Sequence, residues 1–257
     1  MSPSSPARTA GCRRRRVQVV VLGDFGRSPR MQYHALSLAS QADMMVDVVA
    51  YEGSTPRGEV LHHPRISLRL ITPPPLWLQR LLPRPLAMVT RVLMQICQLA
   101  FMMMVRLPAP GFILLQTPPC VPSFAVCRLV AWARGAKFII DWHNLAYTLM
   151  ALKHGARSPL VRVAKTYEKW ASRGAHGHMC VTGAMRDWLA REWHVKDVTV
   201  VHDRPPAFFV PTGLNAAHDL FVRLTPELDR SPAAVPGDCG FLSRVAHGGG
   251  SGGGGDG

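Results

Sequence analysis

The sequence predicts an α/β fold, a Rossmann-like parallel sheet with helices on both faces and disordered tails. Three observations predict it. Apolar runs of strand length recur between Val17 and His202, segments with helical spacing separate them, and glycine or polar clusters close the strands. With 257 residues, 47% hydrophobic and 18% charged, the chain has material for one substantial core plus tails, or for two small domains. That composition excludes a generically disordered protein.

The first strand is the continuous apolar run Val17 to Leu22, of the kind buried on both faces of a parallel sheet, and Gly23 ends it. A helix follows from Pro29, a residue favoured in the first helical turn, with Met31, Ala35, Leu38 and Ala39 on one side. Further strands are expected at Met45 to Tyr51, Ile66 to Ile71, Phe112 to Gln116, Lys137 to Asp141, His178 to Thr182 and Val198 to His202. Helical patterns intervene at Leu76 to Arg106, Pro122 to Arg134, Pro159 to Arg173 and Ala184 to Trp193. Such alternation argues for one doubly wound sheet, and there is no repeat of the solenoid sort.

The ends read differently. Residues 1–16 form an expected disordered basic tail, without the apolar core of a secretory signal and closing on the run Arg13 to Arg16. That run has three readings: a solvated tail, a nuclear import signal, or attraction to anionic lipid. The folded domain is expected over 17–224, and a Gly, Pro and Ser-rich disordered tail over 225–257. The closing glycine run is a flexible linker or the product of a shifted frame or unspliced intron.

Leu86 to Leu107 is the most apolar stretch, but only the fourteen residues Val92 to Val105 are uncharged without a break, too few to span a bilayer comfortably. It is either a core helix or a helix lying in a membrane interface. In the second case Met94, Met102, Met103 and Met104 would meet lipid tails, and Arg80, Arg84, Arg91 and Arg106 the headgroups.

Thirty Lys and Arg against sixteen Asp and Glu give a formal charge of +14, which favours anionic partners. The arginines lack the interleaved aromatics of a single-strand platform, so no specific nucleic-acid partner is expected. Six cysteines without a C-x-x-C pair read as reduced thiols. Neither His62-His63 nor His176 with His178 has the spacing of a metal site, so no metal and no cofactor are expected.

Two clusters carry chemistry. The loop from Gly23 through Asp24, Gly26, Arg27 and Ser28 to Arg30 joins a strand to a helix N-terminus, where free N–H groups and the helix dipole favour an anion. It matches neither G-x-G-x-x-G nor a Walker loop, and it also reads as a ligand-free turn with Asp24 as its cap. The second cluster, Asp141, His143 and Asn144, follows a strand and so lies at the carboxyl edge of the sheet. A His beside a carboxylate serves as a base, although Asp141 as a helix cap and His143 as a structural hydrogen-bonder is the alternative. Tyr167-Glu168-Lys169 reads as helix surface with Tyr167 partly buried.

Specific strings add to this. Val19 to Ala35, Ile140 to Asn144, Tyr167-Glu168-Lys169, Cys180-Val181-Thr182 with Ala184-Met185-Arg186, and His202-Asp203-Arg204-Pro205 occur in order. Together they resemble the chitobiosyldiphosphodolichol beta-mannosyltransferases over about Val17 to Leu224. The resemblance implies the N-terminal, acceptor-side half of a GT-B glycosyltransferase at the cytosolic face of the endoplasmic reticulum membrane. Its donor would be GDP-mannose and its acceptor dolichol-diphosphate-chitobiose, joined by a β-1,4 bond with inversion. Other glycosyltransferases of the same pathway are implied as partners. On that basis Gly23 to Arg30, with Asn144, would approach the acceptor pyrophosphate, and His143, oriented by Asp141, would be the base with Asp24 its rival. Nothing after Leu224 reads as another Rossmann half, so the nucleotide-sugar domain is expected to be missing and the chain inactive alone. The alternative is a non-catalytic acceptor or lipid-binding module that pairs with another chain.

Overall fold

The computed structural model describes residues 15–73, 83–205 and 211–229. In residues up to Asp203 the strands are β1 (Arg16–Asp24), β2 (Met45–Tyr51), β3 (Ile66–Ile71), β4 (Phe112–Thr117), β5 (Lys137–Trp142), β6 (Gly177–Cys180) and β7 (Val198–Val200). They pair in the order β3-β2-β1-β4-β5-β6-β7, every pair parallel. The direction of strand addition reverses between β1 and β4, which opens a crevice at the carboxyl ends of those two strands.

The helices are α1 (Pro29–Ser40), α2 (Gly58–Leu61), α3 (Arg84–Phe101), α4 (Ser123–Arg134), α5 (Ala146–His154), α6 (Pro159–Ser172) and α7 (Gly183–Trp188). Helices α3 and α7 each run on into a wider π-helical turn, Met102–Arg106 and Leu189–Trp193. A second compact unit begins at Arg204, and its α8 spans Leu214–Asp229.

The central strands β1, β2, β4 and β5 are buried on both faces, as their largely apolar runs require. On one face Val17, Val19 and Val21 of β1 meet Met31, Ala35 and Ala39 of α1. On the other, Val20 and Leu22 join Leu99 of α3, Met103 of the π-helical turn that follows it, Phe124 of α4 and Phe138, Ile140 and Trp142 of β5. Trp142 is fully buried and meets Phe124 and Trp193 edge-on at centroid distances of 5.8 and 5.6 Å. Such contacts add about 0.5–1.5 kcal/mol each beyond area burial.

Several expectations need correction. Strand β1 continues through Gly23 to Asp24, with an irregularity in its pairing after Val21. Arg16 belongs to β1 and donates to the buried Asp47 at 2.6 Å, and the Arg15 carbonyl accepts the Met45 N–H, so these last two arginines of the run join the fold instead of ending a tail. Residues 1–14 lie outside the described residues, as do 230–257, but α8 carries helix past Leu224 to Asp229. The helical pattern expected from Leu76 is described only from Arg84. Helix α5 was missed because its apolar residues do not share one side and none is buried.

Met103 is fully buried in the core instead of facing lipid, and Met94, Met102 and Met104 are partly buried. The exposed apolar residues of this helix are Leu86, Met88, Val89, Leu93, Phe101 and Val105. Helical phase against the sheet selects them. Among the described cysteines Cys97, Cys120, Cys127 and Cys180 are free thiols.

Candidate active site

The crevice at the switch point is built first by the turn after β1. Asp24 Oδ1 accepts the Gly26 N–H at 2.9 Å, and its Oδ2 accepts the N–H and hydroxyl of Ser54 at 2.9 and 2.7 Å. The Ser54 bonds lead in holding the Asp24 carboxyl below its ordinary range. A carboxylate so engaged is a loop clamp, which weakens its standing as a base. Gly26 is required by close approach, since a Cβ there would stand 2.2 Å from the Ser54 carbonyl oxygen. The Gln32 amide donates to the carbonyls of Phe25 and Gly26 at 3.0 Å and closes the turn from inside.

Ser28 precedes α1 but does not cap it; its hydroxyl donates to Gln116 at the end of β4, 2.9 Å away, across the mouth of the crevice. Arg27 is exposed and donates to the Ser54 hydroxyl at 3.1 Å. It remains accessible to an anion. Arg30 does not. Its guanidinium is buried, binds Asp141 through two bonds of 2.8 Å, and uses Nη1 on the Val201 carbonyl and Asp203 at 2.7 and 2.8 Å. The arginine expected at the acceptor phosphate is an internal strut.

Asp141 is correspondingly not the partner of His143. Burial pushes its carboxyl up, but His34 and Arg30 outweigh burial and hold it below the usual range. His34 Nε2 lies 3.2 Å from Asp141 Oδ2, without hydrogen-bond alignment. The separation has a local cause. His143 is the first residue past β5, where the backbone turns and its N–H binds the Thr117 carbonyl, so strand alternation no longer places it beside Asp141. Its imidazole is partly exposed, and the nearest carboxylate is Asp203, with Oδ2 3.9 Å from Nε2. Asn144 is exposed beside it, and its carbonyl accepts the Thr117 hydroxyl at 3.1 Å.

Glu168 was misread as surface. It is fully buried in α6 and its two oxygens accept the Ala146 and Tyr147 N–H groups at 2.9 and 3.1 Å, capping α5 directly after the His143 bend. Burial pushes its carboxyl up to about 7 against those two bonds. Its helical neighbours gave no signal of this contact, which spans 22 residues. Behind the bend, the Trp142 indole N–H donates to His178 Nδ1 at 3.2 Å, and burial pushes that imidazole down to about 4. His178 therefore serves packing as a neutral ring. His63 and His176 are likewise engaged locally, by Ser40 and by the Phe138 N–H. A separate cavity of about 480 Å³ lies beside α1, lined by Val17, His34, Leu38, Phe112 and Met179.

Residues 7–203 match the family described as glycosyl transferase 4-like domain. The chain belongs to that family. Among curated relatives it is 45% identical over 215 residues to the mouse chitobiosyldiphosphodolichol beta-mannosyltransferase, covering 83% of this chain and 43% of the relative. The human protein of the same name is 45% identical over 212 residues, covering 82% and 44%. The UDP-glycosyltransferase TURAN of Arabidopsis thaliana is 42% identical over 218 residues, covering 84% and 46%. The chain thus spans under half the length of these family members. The crystal structure of TcCGT1 in complex with UDP superposes with a TM-score of 0.52 at 13% identity, covering 82% of this chain and 55% of that one. The seven-stranded parallel sheet is the N-terminal Rossmann-like half of a GT-B glycosyltransferase.

Proposed function

We propose that this chain is the acceptor-side half of a mannosyltransferase. In this reading, mannose passes from GDP-mannose to the distal sugar of chitobiosyl-diphosphodolichol in β-1,4 linkage, at the cytosolic face of the endoplasmic reticulum membrane. The observation that carries the reading is the 45% identity to named beta-mannosyltransferases over 83% of the chain. The geometry supports it, because His143 stands partly exposed at the carboxyl edge near the switch point.

His143 takes the proton of the acceptor hydroxyl as that oxygen bonds to the anomeric carbon. The bond from that carbon to the GDP phosphate oxygen breaks on the opposite side, which inverts the centre, and GDP leaves. Asp203, near the ring and fastened by Arg30, faces the imidazolium that forms. Arg27, Ser28 and Asn144 lie on loops at the same edge, where the acceptor diphosphate would seat, with Gly23 and Gly26 shaping the turn. Donor binding would fall to a second Rossmann-like domain, and 17–203 would act as the acceptor domain.

The test is transfer of labelled mannose to a chitobiosyl-diphospho-lipid by this chain and by a protein extended with a donor domain. Activity of the extended protein with GDP-mannose supports the reading. Activity with a UDP sugar alone would overturn the donor, and activity of the short chain would overturn its dependence on a second domain. Binding of the lipid with no transfer by either protein would favour a non-catalytic acceptor module.

A further inference from the structure

The bend that carries His143 is short and fastened at both ends. Before it stands Trp142, fully buried, its indole N–H bonded to His178. Within it the N–H groups of His143 and Asn144 both donate to the Thr117 carbonyl, at 3.3 and 3.4 Å, and the Thr117 hydroxyl donates to the Asn144 carbonyl. After it come Ala146 and Tyr147, whose N–H groups donate to the two carboxyl oxygens of Glu168. Only His143, Asn144 and Leu145 lie between the two fastenings, so the His143 backbone moves only if one of them opens.

The second fastening is not local. A helix start is ordinarily satisfied by the side chain at its own N-cap, but Leu145 occupies that position before α5 and offers none. The cap comes instead from α6, 22 residues on, and from a carboxyl that burial penalises in its ionised form. A Ser or Asp at 145 would satisfy the same amides without burying an acid. What a local cap would not do is tie the start of α5 to the core. Helix α5 has no fully buried residue, and its first turn leans inward through the Tyr147 ring, which faces Trp188 and Trp193 at centroid distances of 6.4 and 6.2 Å. Helix α6, by contrast, is seated by buried Val161, Ala164, Ala171 and Ser172. The Glu168 carboxyl thus couples the bend to a rigid element.

We propose that Glu168 is the positioning residue for His143: by closing the start of α5 from inside the core, it holds the imidazole at the carboxyl edge beside Asp203. Being fully buried, it touches no substrate. Its effect on transfer rests on the reading of His143 as the base, whereas its hold on the bend is measurable without any transfer. A base displaced by about 1 Å loses on the order of 10²-fold in rate, the scale expected when one of the two N–H groups loses its acceptor.

Glu168→Gln keeps the volume but sets an NH₂ group against one of the two amides. In a protein carrying both halves it should lower kcat about 10- to 100-fold with KM nearly unchanged. Combined with His143→Ala it should fall within about threefold of His143→Ala alone, because both changes act through one group. Where His143→Ala is impaired, wild-type kcat in Glu168→Gln overturns the proposal, as do losses that multiply in the double variant. Ala164→Gly, one turn earlier in α6, weakens the same helix without touching the clamp and should keep kcat near wild type. A loss there equal to that of Glu168→Gln would make the role merely structural. In this chain, without donor or acceptor, the His143 imidazole resonance is assigned by its absence in His143→Ala. It should shift or split in Glu168→Gln and stay in place in Ala164→Gly, and an unmoved resonance in Glu168→Gln overturns the proposal. Amide exchange of the wild type decides even if that variant misfolds: the Ala146 and Tyr147 N–H groups should be slowed at least about 100-fold, and free exchange overturns the clamp. Full transfer by His143→Ala together with a displaced resonance in Glu168→Gln would sink the base reading alone.

Discussion

Arg30 and Asp141 are joined by two hydrogen bonds of 2.8 Å across 111 residues of sequence, and both side chains are almost fully buried. A bidentate pair in that setting is sensitive to loss of one partner, because the other is left charged and dry. Arg30→Ala should cost about 3–5 kcal/mol in urea unfolding, whereas Arg30→Met with Asp141→Leu should cost much less. Asp141 sits below its unfolded value of about 3.9. Its pH-linked stability is therefore present above that value and lost only as pH falls through the lower folded one.

Glu168 titrates with the opposite sign. Its folded carboxyl is raised to about 7, so the folded state holds a proton the unfolded state has released. Stability from this group is present below about pH 4.3 and declines as pH rises toward 7, by about 3 kcal/mol in all. Chemical denaturation at a series of pH values should show this slope in the wild type and a flatter profile in Glu168→Gln. An identical slope in both would assign it to other groups.

Gly26 and Gly23 make a steric pair of controls. Gly26→Ala meets the Ser54 backbone and should lower stability by about 1–3 kcal/mol, read as a drop in melting temperature. Gly23→Ala meets nothing within 4 Å and should stay within about 0.5 kcal/mol of the wild type.

His143 is partly exposed, so its loss should leave the melting temperature nearly unchanged. In a protein carrying both halves, His143→Ala should lower kcat for mannosyl transfer by about 10²- to 10⁴-fold with little change in KM. Asp203→Asn should give a smaller loss and a shifted pH profile. Full transfer by His143→Ala would remove it from the chemistry.

The sheet was legible because strands buried on both faces must be written as unbroken apolar runs. Val19 to Leu22 and Phe138 to Ile140 are such runs, and the ends of their strands moved by only a residue or two. The edge at which a site would form followed from strand direction. What did not follow was pairing between distant charges. Period and spacing place Asp141 at the carboxyl end of a strand, but nothing local says that Arg30 will claim it or that Glu168 will turn inward to cap α5. The methionines of α3 show the same limit, since composition marks a helix as apolar while its phase against the sheet decides that Met103 is inside and Leu93 outside.

The strand order has a consequence for the nascent chain. Once β1, β2 and β3 are paired, each later strand joins the edge left by its immediate predecessor or by β1, so the sheet extends in the order in which the ribosome delivers it. Arg30 emerges early, yet its partners arrive 111 and 173 residues later. Such distant closures make folding slow. Until Asp203 clears the exit tunnel, the domain is a growing sheet with an open edge and an unsatisfied arginine, the interval in which a chaperone has most to do.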